Sequence, residues 1–115
     1  MAHIIIVEDT EDGREALRML LEGDGHRVTV AATGEAALSA AAEARPDLVL
    51  IDIGLPGIDG YETARRLRAS DDTVRLVAVT GHNRVEDRER SLSAGFDAHF
   101  PKPVDPVRIL TVLRD

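Results

Sequence analysis

The sequence predicts an α/β fold, a (βα)5 chain wound as a doubly covered, five-stranded parallel sheet. Three observations predict it. Short apolar runs rich in β-branched residues alternate with segments of helical period along all 115 residues. The first and third runs are apolar without alternation, the pattern of strands buried on both faces rather than one. Short connections rich in Gly, Pro and Asp separate the elements, so each crossover is compact and right-handed, and helices cover both faces.

The elements follow in order. His3-Ile4-Ile5-Ile6-Val7 is too short for a helix and reads as a central strand. From Glu11 to Glu22, Ala16, Leu17, Leu20 and Leu21 recur at helical spacing, and Gly23 and Gly25 end the helix. Arg27 to Ala31 is a shorter strand. Thr33 caps an alanine-rich helix from Gly34 to Ala44 that Pro46 closes. Leu48-Val49-Leu50-Ile51 is a strand stopping at Asp52, and a loop leads to Asp59, which with Glu62 resembles a capping box. Leu76 to Val79 is a strand stopping at Thr80. Asn83 with Glu86 caps a helix running to Ala94, with Gly95 as its C′ residue. Ala98-His99-Phe100 is a brief strand before Pro101-Lys102-Pro103, and Asp105 with Pro106 opens the last helix.

Composition bounds the function. The length suits one domain, residues 1–115. A formal net charge of −7 argues against direct nucleic-acid contact or an anionic membrane surface. The absence of cysteine excludes disulfides, thiolate metal sites and thiol catalysis. No apolar run reaches membrane-spanning length and the N-terminus enters a strand pattern directly, so a cytoplasmic location without membrane insertion is expected. Among fourteen Lys and Arg residues, Lys102 is the single lysine.

In open α/β sheets ligands bind beyond the carboxyl ends of the strands, where the strand order reverses. Glu8-Asp9 follows strand one, Asp52 strand three, Thr80 strand four and Lys102 strand five. With strand order 2-1-3-4-5 these residues gather on one edge. Singly, each has a plainer role: Asp9 as a helix cap, Asp52 as an Asp-x-Gly turn, Thr80 as a strand end, Lys102 as a solvated loop cation. Together they suggest more. Three close carboxylates repel by several kcal/mol per pair at an effective dielectric near ~20, and Lys102 plus a divalent cation would offset this. An all-oxygen site completed by water suits Mg2+, with the Gly54 backbone carbonyl within reach of the same ion. A carboxylate nucleophile, a cation, an ammonium and a hydroxyl are the parts of phosphoryl transfer.

At Val7-Glu8-Asp9, Leu50 to Gly60, Val79-Thr80-Gly81 and Lys102-Pro103 the sequence resembles the receiver domain of bacterial two-component response regulators, over essentially the whole chain. The resemblance implies a flavodoxin-like, CheY-like sheet. It implies that Asp52 is the phosphoacceptor and that Glu8, Asp9, Asp52 and the Gly54 carbonyl hold Mg2+. Thr80 and Lys102 would contact the phosphoryl group, with Lys102-Pro103 commonly a cis bond. It further implies a histidine kinase or histidine phosphotransfer domain as donor, self-catalysed phosphorylation and dephosphorylation rather than an enzyme's turnover, and a switch of the fourth helix, fifth strand and fifth helix.

His99 stands where the family's switch residue is most often Tyr or Phe; two readings stand, a switch whose coupling to Thr80 is weaker or pH-sensitive, and an ordinary edge-strand histidine. Gly54 and His82 flank the phosphoryl position, while His3 and His26 read as structural or solvated. In the last helix Val107, Ile109, Leu110, Val112 and Leu113 span more arc than one sheet contact needs. Ile109 and Val112 are the expected surplus, suiting a partner or a second copy docked on the face formed by the fourth helix, fifth strand and fifth helix. In the fourth helix Val85, Leu92 and Ala94 are the expected anchors. The stretches 54–61 and 94–99 resemble receivers carried by hybrid sensor kinases, and a stand-alone receiver would look the same. The rivals are a degenerate receiver that binds partners without phosphorylation, a phosphoaspartate-forming hydrolase and a flavin carrier. The hydrolase wants Asp where Gly54 stands, and the carrier wants a phosphate loop after the first strand.

Overall fold

The computed structural model describes residues 2–55, 57–80, 85–101 and 105–114, with the side chains of 85–88, 91, 106 and 114 left aside. The chain runs β1 (His3–Val7), α1 (Glu11–Gly23), β2 (Arg27–Ala31), α2 (Gly34–Glu43), β3 (Leu48–Asp52), α3 (Gly60–Ser70), β4 (Arg75–Thr80), α4 (Val85–Ala94), β5 (Ala98–Pro101) and α5 (Pro106–Arg114). All strands are parallel, in the order β2-β1-β3-β4-β5.

Burial follows from that order. β1 and β3 lie inside the sheet and are buried at every residue, whereas β2 and β5 form its edges and are partly open. The two-residue period of a strand then divides the core into two layers. Ile4, Ile6, Leu48, Leu50, Val77 and Val79 face α1 and α5, where Leu21 and Ile109 are fully buried. Ile5, Val7, Val49, Ile51, Leu76 and Ala78 face the other way, against Ala37, Ala64, Leu67 and Phe96. Each fully buried Ile or Leu contributes about 1.5–3 kcal/mol, so the sheet centre dominates stability.

Local chemistry sets the helix boundaries. The Thr33 hydroxyl accepts the Ala36 N–H at 3.1 Å and the Asp59 carboxylate accepts the Glu62 N–H at 2.9 Å, capping α2 and α3. Only half the anticipated box forms, because the Glu62 carboxylate binds Arg65 and Arg66 instead. Asp105 accepts the Val107 N–H at 3.0 Å and caps α5. Gly95, with φ of 100°, takes the left-handed turn that ends α4. Gly34 lets α2 approach α3, since a Cβ there would overlap Thr63 Oγ1 and Ile58. No helix among the described residues is long and apolar enough to cross a membrane.

Three expectations about helix faces are corrected. Ile109 is fully buried and Val107 is the exposed apolar residue of α5, at 66%. Leu92 does not anchor α4, being 69% exposed; buried Ala94 holds the helix, and Arg90 lies 4.2 Å from the centre of the Tyr61 ring. In α1, Leu21 is buried while Leu20 is 55% exposed. A run of apolar residues defines an arc, but the rotation of the helix on its sheet decides which part of the arc is used. Asn83 and its anticipated cap lie outside the described residues.

Candidate functional site

Strand termini build the site. β3 ends on Asp52, which pairs in register with Val79, and Ile53 N–H donates to the Val79 carbonyl at 3.0 Å. On the adjacent strand, Glu8 N–H donates to the Ala31 carbonyl at 3.0 Å, so Glu8 follows directly on β1. The alternation that sends Ile6 and Leu50 towards α1 and α5 sends Glu8 and Asp52 the same way. Carboxylate oxygens of Glu8, Asp9 and Asp52 lie within 4.8 Å of one another. Glu8 and Asp52 are buried, 6% and 9% exposed, while Asp9 is open to solvent.

Crowding of like charge has a visible consequence. The Asp9 carboxyl is held above the ordinary carboxylate range, chiefly by its hydrogen bond to the Glu8 carboxyl, then by desolvation beside its neighbours and by the charges of Glu8 and Asp52. The plainer role for Asp9 does not hold: the N-cap of α1 is Thr10, one residue further on. The plainer role for Asp52 does hold, since its Oδ1 accepts the Gly54 N–H at 3.1 Å in an Asx turn. That bond orients the carboxylate and is compatible with a reactive second oxygen.

The remaining residues fall around this cluster. Thr80 is the last residue of β4, buried, on the strand adjacent to Asp52. His99 pairs in register with Ala78, and Pro101 with Thr80. His99 therefore stands on the Thr80 face of the sheet, one two-residue period back. Lys102, Pro103, Gly81 and His82 lie outside the described residues. Beside Glu8 and Asp52 opens a cavity of about 510 Å³, bounded across from them by Gly13, Ala16, Leu17 and Leu20 of α1.

An all-carboxylate cluster, with two members anchored in the sheet and one open to water, fits a hard divalent cation that keeps part of its hydration shell. It does not suit a softer metal that prefers nitrogen or sulfur.

His3 and His26 take the structural roles expected. His3 is buried, its ring bonded to Thr29 Oγ1 at 2.8 Å and to the Arg45 carbonyl at 3.3 Å. His26 accepts the Ala2 N–H at 3.1 Å. Two neighbours of the acidic cluster escape sequence reasoning. Thr10 donates its hydroxyl to Glu8 Oε1 at 3.0 Å and its N–H to the same oxygen at 3.2 Å. Arg14 Nη1 donates to the Glu8 main-chain carbonyl at 3.0 Å. The one signal was a threonine directly after an acidic pair, and that pattern reads first as a helix cap.

Known proteins resemble this chain in sequence and fold. The family model described as "Response regulator receiver domain" matches residues 4–114. The transcriptional regulatory protein AfsQ1 of Streptomyces coelicolor is 40% identical over 118 residues, covering 99% of this chain and 52% of that protein. The chain spans about half the length of the transcriptional regulators and response regulators it matches. Among solved structures, a CheY-like response regulator receiver domain protein from Methanospirillum hungatei is 31% identical with a TM-score of 0.91, covering 99% of this chain and 91% of that one. The signal receiver domain of a histidine kinase from Syntrophus aciditrophicus is 29% identical with a TM-score of 0.87, covering 99% of this chain and 88% of that one. Sheet order, acidic cluster and family model agree from one end of the chain to the other, and the chain belongs to the response regulator receiver domain family.

Proposed function

We propose that residues 1–115 act as one receiver domain in which Asp52 accepts a phosphoryl group from the phosphohistidine of a histidine kinase or a histidine phosphotransfer domain. The observation that carries this reading is the approach of Glu8, Asp9 and Asp52 to within 4.8 Å at the carboxyl edge of the sheet. Asp52 attacks phosphorus with a carboxylate oxygen, the phosphorus–nitrogen bond breaks, and the leaving imidazole takes up a proton. Gly54 N–H fixes the orientation of the attacking carboxylate. Glu8, Asp9, Asp52 and the Gly54 carbonyl are the residues that would hold Mg2+, and a dication there would supply the positive charge that lets an anionic donor approach three carboxylates. Thr80 and Lys102 would donate to the phosphoryl oxygens.

The phosphoryl group adds negative charge beside Thr80, and the proposed response is a shift of α4, β5 and α5 with His99 as the switch residue. His99 lies on the Thr80 face of the sheet, which supports this reading. Leu92 of α4 and Val107 of α5 are exposed, which supports partner docking or homodimerisation on that face. Chemistry confined to the protein's own aspartate makes it a signalling switch rather than an enzyme, working in the cytoplasm where kinases hold their phosphohistidine.

The test is mass spectrometry after incubation with Mg2+ and a small acyl phosphate. One added phosphate, lost in Asp52→Asn and in excess EDTA, is the expected result. No gain, with a control receiver phosphorylated in parallel, would refute it in favour of a phosphorylation-independent module.

A further inference from the structure

An N-cap threonine ordinarily turns its hydroxyl onto the free N–H groups of the first helical turn. Thr10 does not. It occupies the N-cap of α1 with extended backbone, φ −92° and ψ 131°, and makes no side-chain cap bond. Its hydroxyl points back to Glu8 Oε1 at 3.0 Å, and its own N–H reaches the same oxygen at 3.2 Å. A cap is worth about 1 kcal/mol to a helix, so a hydroxyl turned elsewhere marks a place where local stability yields to another requirement.

The neighbours preserve this geometry. A Cβ on Gly13 would lie 2.7 Å from Thr10 Oγ1 and 3.3 Å from Glu8 Cγ. Position 13 lies within α1, where glycine is a poor helix former, yet a Cβ there would force the Thr10 hydroxyl to shift and would crowd the Glu8 side chain. From the next turn Arg14 holds the Glu8 main-chain carbonyl at 3.0 Å. One oxygen of the Glu8 carboxylate and the backbone beneath it are thus both fixed, while Glu8 also belongs to the acidic cluster.

The geometry points to Thr10 as a positioning residue for the cation site, one that orients the Glu8 carboxylate and relies on Gly13 for the space to do so. This rests on the reading of the acidic cluster as a Mg2+ site. Outer-shell partners that orient a ligand typically change metal affinity by ~10–100-fold when removed. Thr10→Val keeps the N–H contact and the side-chain volume but removes the hydroxyl. Thr10→Ser restores the hydroxyl. Gly13→Ala improves the helix while crowding the contact.

The probe is Mg2+ alone, titrated calorimetrically into metal-free protein, with thermal melts in EDTA and in Mg2+ for each variant. Thr10→Val is expected to raise the Mg2+ dissociation constant about tenfold and Thr10→Ser to restore most of the affinity. Gly13→Ala is expected to weaken Mg2+ binding while its melting temperature in EDTA holds or rises, a separation that a purely structural role would not produce. Thr10→Val binding Mg2+ within twofold of the parent, or losing melting temperature equally in EDTA and in Mg2+, would overturn the inference and leave the metal site standing. A folded parent that binds no Mg2+ would overturn both.

Discussion

Replacing Asp52 by Asn should stabilise the metal-free protein. Asn keeps the shape of the side chain and an oxygen to accept the Gly54 N–H, so packing and the Asx turn survive. What changes is charge. Asp52 sits within 4.8 Å of carboxylate oxygens on Glu8 and Asp9. At that separation each like-charge pair costs about 3.5 kcal/mol at an effective dielectric of ~20 and about 0.9 kcal/mol in bulk water. Glu8 and Asp52 are buried whereas Asp9 faces solvent, so the Glu8–Asp52 pair is the less screened. After offsets from neighbouring donors, a net gain of about 1–2 kcal/mol is expected from Asp52→Asn. For 115 residues this corresponds to a rise of about 4–8 °C in melting temperature. Thermal melts by circular dichroism in EDTA would measure it, and saturating Mg2+ should narrow the gap by stabilising the parent more than the variant. A variant no more stable than the parent in EDTA would refute the premise that mutual repulsion dominates the empty cluster.

The Asp9 carboxyl has its pKa raised in the folded state, so the native protein holds more protons than the unfolded chain from its ordinary value of 3.8 upward. Its contribution therefore destabilises the fold increasingly as pH rises through that window and is relieved on acidification. Without metal, as pH rises from 3.8 to neutral, stability against urea should gain less or fall more in the parent than in Asp9→Asn; identical profiles would contradict this. Arg68 donates to the carbonyls of Gly95, Asp72 and Val74 and to the Asp97 carboxylate, while Asp97 in turn accepts the Leu76 N–H. Arg68→Ala should cost about 2–3 kcal/mol in urea denaturation, since water can reach only part of what it leaves behind. A loss below about 0.5 kcal/mol, ordinary for a surface site, would argue against a joint between α3, α4 and β5.

Much of the sheet was legible because local rules and the global fold agree there. The run His3 to Val7 is apolar on every side and β1 is buried on both faces; Thr33, Asp59 and Asp105 carry cap chemistry and cap helices. The cluster at the sheet edge was legible for the same reason, since a parallel sheet brings the residues after β1 and β3 to one end whatever their separation in sequence. The helix surfaces were less legible. Ile109 and Val107 are both apolar and two positions apart, yet one is fully buried and the other 66% exposed. The difference comes from how α5 is rotated against β4 and α1, which hydrophobic spacing does not encode.

The order of elements, the buried strands and the acids at the end of β1 and β3 follow from local rules, because strand period, β-branching and turn chemistry act over a few residues. Tertiary structure decided how the polar groups share one another. Thr10 had two acceptable uses for its hydroxyl, helix N–H groups or the Glu8 carboxylate, and local spacing does not choose between them. Packing of α1 onto β1, with Gly13 leaving room, brought the carboxylate within 3.0 Å and made the second the one realised. A hydrogen bond is won by distance and direction, and only the folded chain fixes those.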